Sequence, residues 1–174
     1  MPSDFAKNLC AEFVKAYKFE GPVLDVGSGD VSYWYKPSFE GFQYLTADPL
    51  PSLSSIVDYN VDVCNLPRDL KDSFGVVLML ESLEHIANPF CAFKSCFRIL
   101  KPGGFLLCST VACYGIHKHP ADFWRFLPDG LELLMLQAGF LNKGVKMNQP
   151  NTTRTAHICC VAQKPEKKVE TAAV

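Results

Sequence analysis

Apolar residues at Phe5, Leu9, Phe13, Val14 and Tyr17 fall on one stripe of a helix over Phe5 to Lys18, with Asp4 as its expected cap. GPVLDVG follows, a short apolar run closed by glycine, which is the form of a strand buried on both faces. The same form returns in FQYLTADP, VDVC, GVVLML and GFLLCSTV, and each is predicted as a strand. Between the last two lies LESLEHIANPFCAFKSCFRIL, a predicted helix carrying Phe90, Phe93, Cys96, Phe97 and Leu100 and stopped by KPGG. Pro128 then opens a further helix with Leu131, Leu134, Met135 and Ala138 on one stripe and Gly139 at its end. FLNKGVKMN and TAHICCVAQK read as a closing strand pair. Strands alternating with helices predict an α/β fold: a doubly wound, mostly parallel sheet with an antiparallel pair at the C-terminal end.

Composition narrows this picture. A chain of 174 residues suits one domain around one core, and 48% hydrophobic against 20% charged residues is the balance of a folded globule. The domain is expected over residues 1–162, with 163–174 a polar, solvated tail that holds the basic run Lys164, Lys167 and Lys168. Seventeen Lys and Arg against 18 Asp and Glu leave no broad field to attract nucleic acid or an anionic membrane, so neither is an expected partner. MPSDFAKNLC lacks the plan of a signal peptide and no apolar run reaches a bilayer span, which predicts a cytoplasmic protein. Of the eight cysteines, Cys64, Cys108, Cys159 and Cys160 lie in strand-like stretches, and Cys91 and Cys96 point to different faces of one helix. Buried free thiols are expected, with no disulfide framework and no metal.

Candidate chemistry begins at VLDVGSGD. Asp25 stands at a strand end, and Gly27 and Gly29 let the backbone approach a ligand that a side chain would push away. Asp48 follows nineteen residues after Gly29, the offset at which nucleotide-binding sheets set a carboxylate on the ribose hydroxyls. Asp62 then opens VDVCNLP, where it or the neighbouring backbone meets an adenine edge. A dinucleotide oxidoreductase is the rival on this architecture, but its pyrophosphate needs a GxGxxG turn, and GSGDVSYW has no third glycine at the required place.

In order and spacing, VLDVGSGD, TADP, VDVCNLP, DSFGVVLMLESLEHIANP and RILKPGGFLLCST resemble the class I S-adenosylmethionine (SAM)-dependent methyltransferases, and among them the methyltransferase type 11 group. The resemblance covers about residues 20–140 and implies a Rossmann-like fold with SAM as cofactor. It implies that Asp25, Gly27, Ser28 and Gly29 line the methionine part of SAM, Asp48 the ribose, Asp62 and Val63 the adenine, and Leu80 and Glu81 the sulfonium side. The chain departs from the group at Val31, where many members have a third glycine, and at Gly75, where many have an acidic residue. Only some twenty residues precede the first strand, so the N-terminal helices that often close over SAM are expected to be short or absent. A partner subunit, a second copy, or the loop after GFLLCSTV would then supply the lid.

That loop, STVACYGIHKHPADFWRF, gathers His117, His119, Asp122, Trp124 and Arg125 on the ligand-binding edge of the sheet. Similar HxxPxDFWRF segments recur in bacterial type 11 relatives, some associated with saccharide or surface-polymer modification. His117 or His119 is a candidate base for a hydroxyl acceptor, and His117, His119, Trp124 and Arg125 are candidate contacts to a small-molecule or saccharide-like acceptor. The alternative is a structural loop, with Trp124 and Phe126 packed on the last helix and Arg125 paired with Asp122. His85 is read as structural and His157 as a strand residue without a chemical task. A SAM-fold subunit that has lost catalysis and serves as a binding scaffold is the competing class of function.

Overall fold

The computed structural model describes residues 3–29, 34–50, 57–149 and 155–166. Helix α1 (Asp4–Ala16) leads into β1 (Val23–Val26) and β2 (Tyr44–Ala47). Strand β3 (Phe74–Leu80), helix α2 (Pro89–Ile99) and the long β4 (Leu100–Cys113) follow, and α3 (Pro128–Ala138), β5 (Leu141–Met147) and β6 (Ala156–Gln163) come last among the described elements. One six-stranded sheet results, in the order β2-β1-β3-β4-β6-β5. Strands β2, β1, β3 and β4 are parallel, and β6 and β5 run antiparallel to their neighbours. The predicted architecture is therefore present, with the closing pair where the sequence put it.

Alternation along the strands sorts the core into two layers. Val76, Leu78 and Leu80 of β3 join Phe105 and Leu107 of β4 beneath Ala6, Leu9, Cys10 and Phe13 of α1. On the opposite face Val77, Met79, Leu106 and Cys108 meet Phe93 and Cys96 of α2 and Leu131, Leu134 and Met135 of α3. The stripes read from α1 and α3 are these faces, while Phe90 of α2 points outward and is 40% exposed. Among the described residues no helix is long and apolar enough to cross a membrane.

Local chemistry moved several boundaries. The cap of α1 is Ser3, whose hydroxyl accepts from Ala6 N–H, and not Asp4. VDVC is not a strand. The Asp62 carboxylate accepts from the Cys64 N–H at 2.7 Å and folds Val63–Asn65 into a 3-10 turn, and among the described residues β2 gains there a single bridge, of Ala47 to Tyr59. The helix expected from LESLEHI starts later, at Pro89, because Asn88 caps it through Cys91 N–H and proline fits the first turn; Leu83–His85 form a separate 3-10 turn. Gly139 ends α3 at φ 95°, as expected.

All eight cysteines are free, and Cys10, Cys96, Cys108, Cys159 and Cys160 are buried, whereas Cys64, Cys91 and Cys113 are only half-buried. The fold continues past the expected boundary at 162. Gln163 completes β6, and Lys164 donates its N–H to the Gly104 carbonyl and its ammonium to Asp72 Oδ1 and the Leu100 carbonyl, both at 2.7 Å. Of the expected tail, Lys167, Lys168 and the rest of 167–174 lie outside the described residues.

Candidate active site

The strand order reverses direction at β1, with β2 on one side of it and β3 on the other. In parallel sheets the crevice beyond the carboxyl ends of such strands receives ligands. Gly27, the first residue past β1, has φ 69°, and a Cβ there would stand 2.6 Å from Ser82 Cβ. A side chain at this position would force the β1 and β3 loops apart, so glycine is required for the two to meet. Gly29 has φ 47° with open space beside it, and its N–H donates to Asp48 Oδ2 at 2.8 Å. Asp48 Oδ1 accepts from Leu50 N–H at 2.8 Å, so the carboxylate just past β2 bridges its own loop to the glycine turn.

Two buried polar groups sit under this turn. Asp25 is buried and accepts a 2.8 Å hydrogen bond from the Tyr44 hydroxyl; burial pushes its carboxyl up to about 7, against the pull of Tyr44. Ser28 is buried too, and its Oγ has no hydrogen-bond partner among the described residues. An orphaned hydroxyl facing a glycine cradle suits a polar ligand that supplies the missing partner. Val31, the other departure from the group, lies outside the described residues.

Across the crevice, Leu80 ends β3 and Glu81 adopts φ 53°, a left-handed conformation uncommon outside glycine. Its N–H donates to the Ser109 carbonyl at 2.8 Å, and its Oε1 accepts from the Ser109 hydroxyl at 2.7 Å. The other oxygen, Oε2, lies 2.8 Å from His157 Nδ1, a charge pair rather than an aligned hydrogen bond. Glu81 keeps the His157 ring protonated to higher pH than free histidine, against burial. His157 thus has a partner at the site, contrary to the expectation of a strand residue without a task. Its signal was weak because it sits among the apolar residues of β6. Asp62 and Val63 lie on the far side, one capping its turn and the other buried.

A second polar group centres on Glu84, which sequence reasoning passed over although LEHI was part of the recognised pattern. Glu84 is 1% exposed, and its Oε2 accepts from Thr110 Oγ1 at 2.7 Å. Its Oε1 faces His117 Nε2 at 3.7 Å and His85 Nε2 at 3.9 Å. The His85 and His117 rings meet edge to face at 4.9 Å between centroids, and exposed His119 stands 6.4 Å from His85. The loop that carries the histidines is tied down. Arg125 binds both oxygens of Asp122 and the carbonyls of Tyr114, Gly115 and Trp124, and it holds the Asp122 carboxyl well below the usual carboxylate range. Trp124 donates its indole N–H to the Ile86 carbonyl at 3.0 Å and leaves 40% of its surface exposed, and Phe126 is buried in the core.

Comparison with known proteins agrees with this layout. Residues 3–142 match a family model described as a methyltransferase domain. A ubiquinone biosynthesis O-methyltransferase of Cereibacter sphaeroides is 28% identical over 150 residues, covering 74% of this chain and 57% of that protein. The enzyme of the same name from Xanthomonas oryzae pv. oryzae is 34% identical over 113 residues, 58% of this chain and 45% of that one. The chain thus spans about half the length of these curated relatives. The crystal structure of the Burkholderia thailandensis 1,6-didemethyltoxoflavin-N1-methyltransferase, with its substrate and S-adenosylhomocysteine bound, superposes with a TM-score of 0.69 at 16% identity, over 94% of this chain and 78% of that one. With the sheet order, the glycine turn and the acidic loop ends already in place, the match over residues 3–142 means that the chain belongs to the methyltransferase domain family, with the fold of class I SAM-dependent methyltransferases.

Proposed function

We propose that this protein transfers a methyl group from SAM to a hydroxyl-bearing small molecule. The observation that carries the reading is the orphaned Ser28 hydroxyl within the Gly27 to Gly29 turn, whose N–H at Gly29 binds Asp48, in a sequence that lacks the third glycine of a pyrophosphate motif. Asp25, Gly27, Ser28 and Gly29 would hold the methionine part, Asp48 the ribose hydroxyls, Asp62 and Val63 the adenine, and Leu80 and Glu81 the sulfonium end. When bound, SAM supplies an electrophilic methyl on a positively charged sulfur. Each Asp48 oxygen has one backbone N–H and keeps a lone pair for a ribose hydroxyl.

The acceptor belongs on the edge formed by Glu81, Glu84 and the loop from His117 to Arg125. Methyl transfer is an in-line displacement, so positioning is the larger contribution, up to roughly 7 to 11 kcal/mol. Arg125 and Asp122 hold the loop, Trp124 offers its exposed face to a ring, and His117 lines the wall beside Glu84. Exposed His119 takes the hydroxyl proton, a task typically worth about a hundredfold to ten-thousandfold. A hydroxyl acceptor agrees with the O-methyltransferase names of the curated relatives. The saccharide-like acceptor suggested by the loop sequence stays within this class.

Titration calorimetry tests the reading. The protein should bind SAM and S-adenosylhomocysteine and respond weakly to NAD. Asp48→Ala should weaken SAM binding by roughly ten- to a hundredfold, the loss of charge-assisted hydrogen bonds. Tight NAD binding with no response to SAM would overturn the proposal. In turnover assays on hydroxylated acceptors, followed by S-adenosylhomocysteine release, His119→Ala should lower the rate and leave SAM affinity within about twofold. Undiminished turnover would remove His119 from the mechanism.

A further inference from the structure

We propose that Glu84, His85 and His117 form a binding site for a divalent transition-metal ion that presents the acceptor's oxygen atoms to the methyl-transfer crevice. The inference rests on the reading of this edge as the acceptor side. One ligand atom from each residue lies within 4.8 Å of the other two. Proximity alone would be weak, and the hydrogen bonds behind the rings decide the matter.

His85 Nδ1 is hydrogen-bonded to the Ala121 carbonyl. A carbonyl only accepts, so this nitrogen carries the hydrogen. His117 Nδ1 faces the Gly115 carbonyl at 3.2 Å and Asp122 Oδ2 at 3.4 Å, again two acceptors, with the same consequence. Each Nδ1 is thus committed to the acceptor behind its ring, and each ring turns its Nε2 toward Glu84 Oε1, from 3.9 and 3.7 Å. Glu84 is buried, its other oxygen is held by Thr110, and among the described residues no lysine or arginine pairs with it. One carboxylate oxygen and two imidazole nitrogens thus converge from a buried residue and two half-buried rings, an arrangement that can hold a cation from three sides.

The spacing suits a first-row ion. Bonds of about 2.0 to 2.2 Å hold neighbouring ligands of a tetrahedral site about 3.3 to 3.6 Å apart, so the observed separations close by small ring movements. Carbonyls behind both histidines and a hydroxyl behind the carboxylate form the outer hydrogen bonds by which metal-binding side chains are oriented. Two imidazoles and a carboxylate favour zinc, cobalt or ferrous iron over magnesium, and three protein ligands leave coordination positions open. The class of acceptor that fits is one with two neighbouring oxygens, which chelates the ion while one oxygen faces the methyl donor. His117 is then a ligand, and proton removal stays with His119.

Cobalt(II) reads the site directly. Added to the chelator-treated full chain, it should bind in equimolar amount and give the visible absorption of a low-coordinate nitrogen and oxygen site. His117→Ala, on a loop outside the sheet, should weaken binding at least tenfold with the circular dichroism unchanged, as should His85→Ala. Thr110→Val, which removes only the outer hydrogen bond, should weaken it about tenfold. Equal binding by the wild type and the His85→Ala, His117→Ala double variant, or a spectrum dominated by thiolate charge transfer, would overturn the site. SAM binding measured on the same samples separates the two readings: cobalt bound without SAM supports the site and removes the methyltransferase reading, and SAM bound with cobalt indifferent to the histidines does the reverse.

Discussion

Asp25, Asp48 and Asp62 look alike in the sequence, each an acidic residue near the end of an apolar run, but the structure gives each a different environment. Asp48 accepts two backbone N–H groups, Asp62 caps a turn, and Asp25 is buried against a tyrosine hydroxyl. Burial is the main cause that pushes the Asp25 carboxyl up, to about 7 from 3.8. Between about pH 4 and 7 the native state keeps a proton that the unfolded chain has lost, so stability from this group is complete below pH 4 and declines as pH rises to 7. Asn in its place still accepts from Tyr44 and cannot ionise. Asp25→Asn should therefore lose less thermal stability than the wild type between pH 4 and 7, and identical slopes would contradict the assignment. Comparing the two proteins removes the contribution of His157, which Glu81 keeps protonated to higher pH in both. The positions of the aspartates were legible in the sequence; their solvent environments were not, because these depend on the strands and turns that come to lie beside them.

At the scale of elements, the helical stripes and the apolar strand runs were legible because period and burial agree in α1, α3, β1 and β3. Reading failed where a local side-chain hydrogen bond competed with the pattern, as at Asp62, or set a later start, as at Asn88. Gly75 has a different cause. The group often has an acidic residue at this position, but here a Cβ would lie 1.9 Å from the Glu20 carbonyl oxygen, which is backbone and cannot swing away. The segment before β1 crosses the start of β3 at contact distance, held by Gly75 N–H to the Pro22 carbonyl at 2.9 Å. Gly75→Ala should cost about 1 to 3 kcal/mol of unfolding free energy, read by denaturant titration, because β3 and the loop must separate. A loss below about 0.5 kcal/mol would mean that the crossing is not tight. The acceptor-side cluster was half legible: the histidines stand out in their loop, whereas Glu84, between Leu83 and His85, shows its importance only once its 3-10 turn is folded under β4.

For the whole molecule, Lys164 links parts of the chain that are far apart in sequence. Its ammonium joins Asp72 before β3 to the Leu100 carbonyl at the end of α2, stands 4.9 Å from the centre of the Phe97 ring, and is mostly shielded from solvent. Lys164→Met should lower the unfolding free energy by about 1.5 to 3 kcal/mol, the value of hydrogen bonds to a charged group, and a double-mutant cycle with Asp72→Asn should recover part of it as coupling. Additive effects would show that the ammonium works through Leu100 alone. The placing of β6 reaches further. Strand β4 is the longest in the sheet and pairs on one side with β3, which precedes it, and on the other with β6, the last strand described. While the chain is being synthesised, β4 leaves the ribosome with an apolar, unsatisfied edge that stays uncovered until β6 has also emerged. For that interval a second nascent chain can pair with the open β4 edge, so the demand for chaperone capture falls between the appearance of α3 and that of β6.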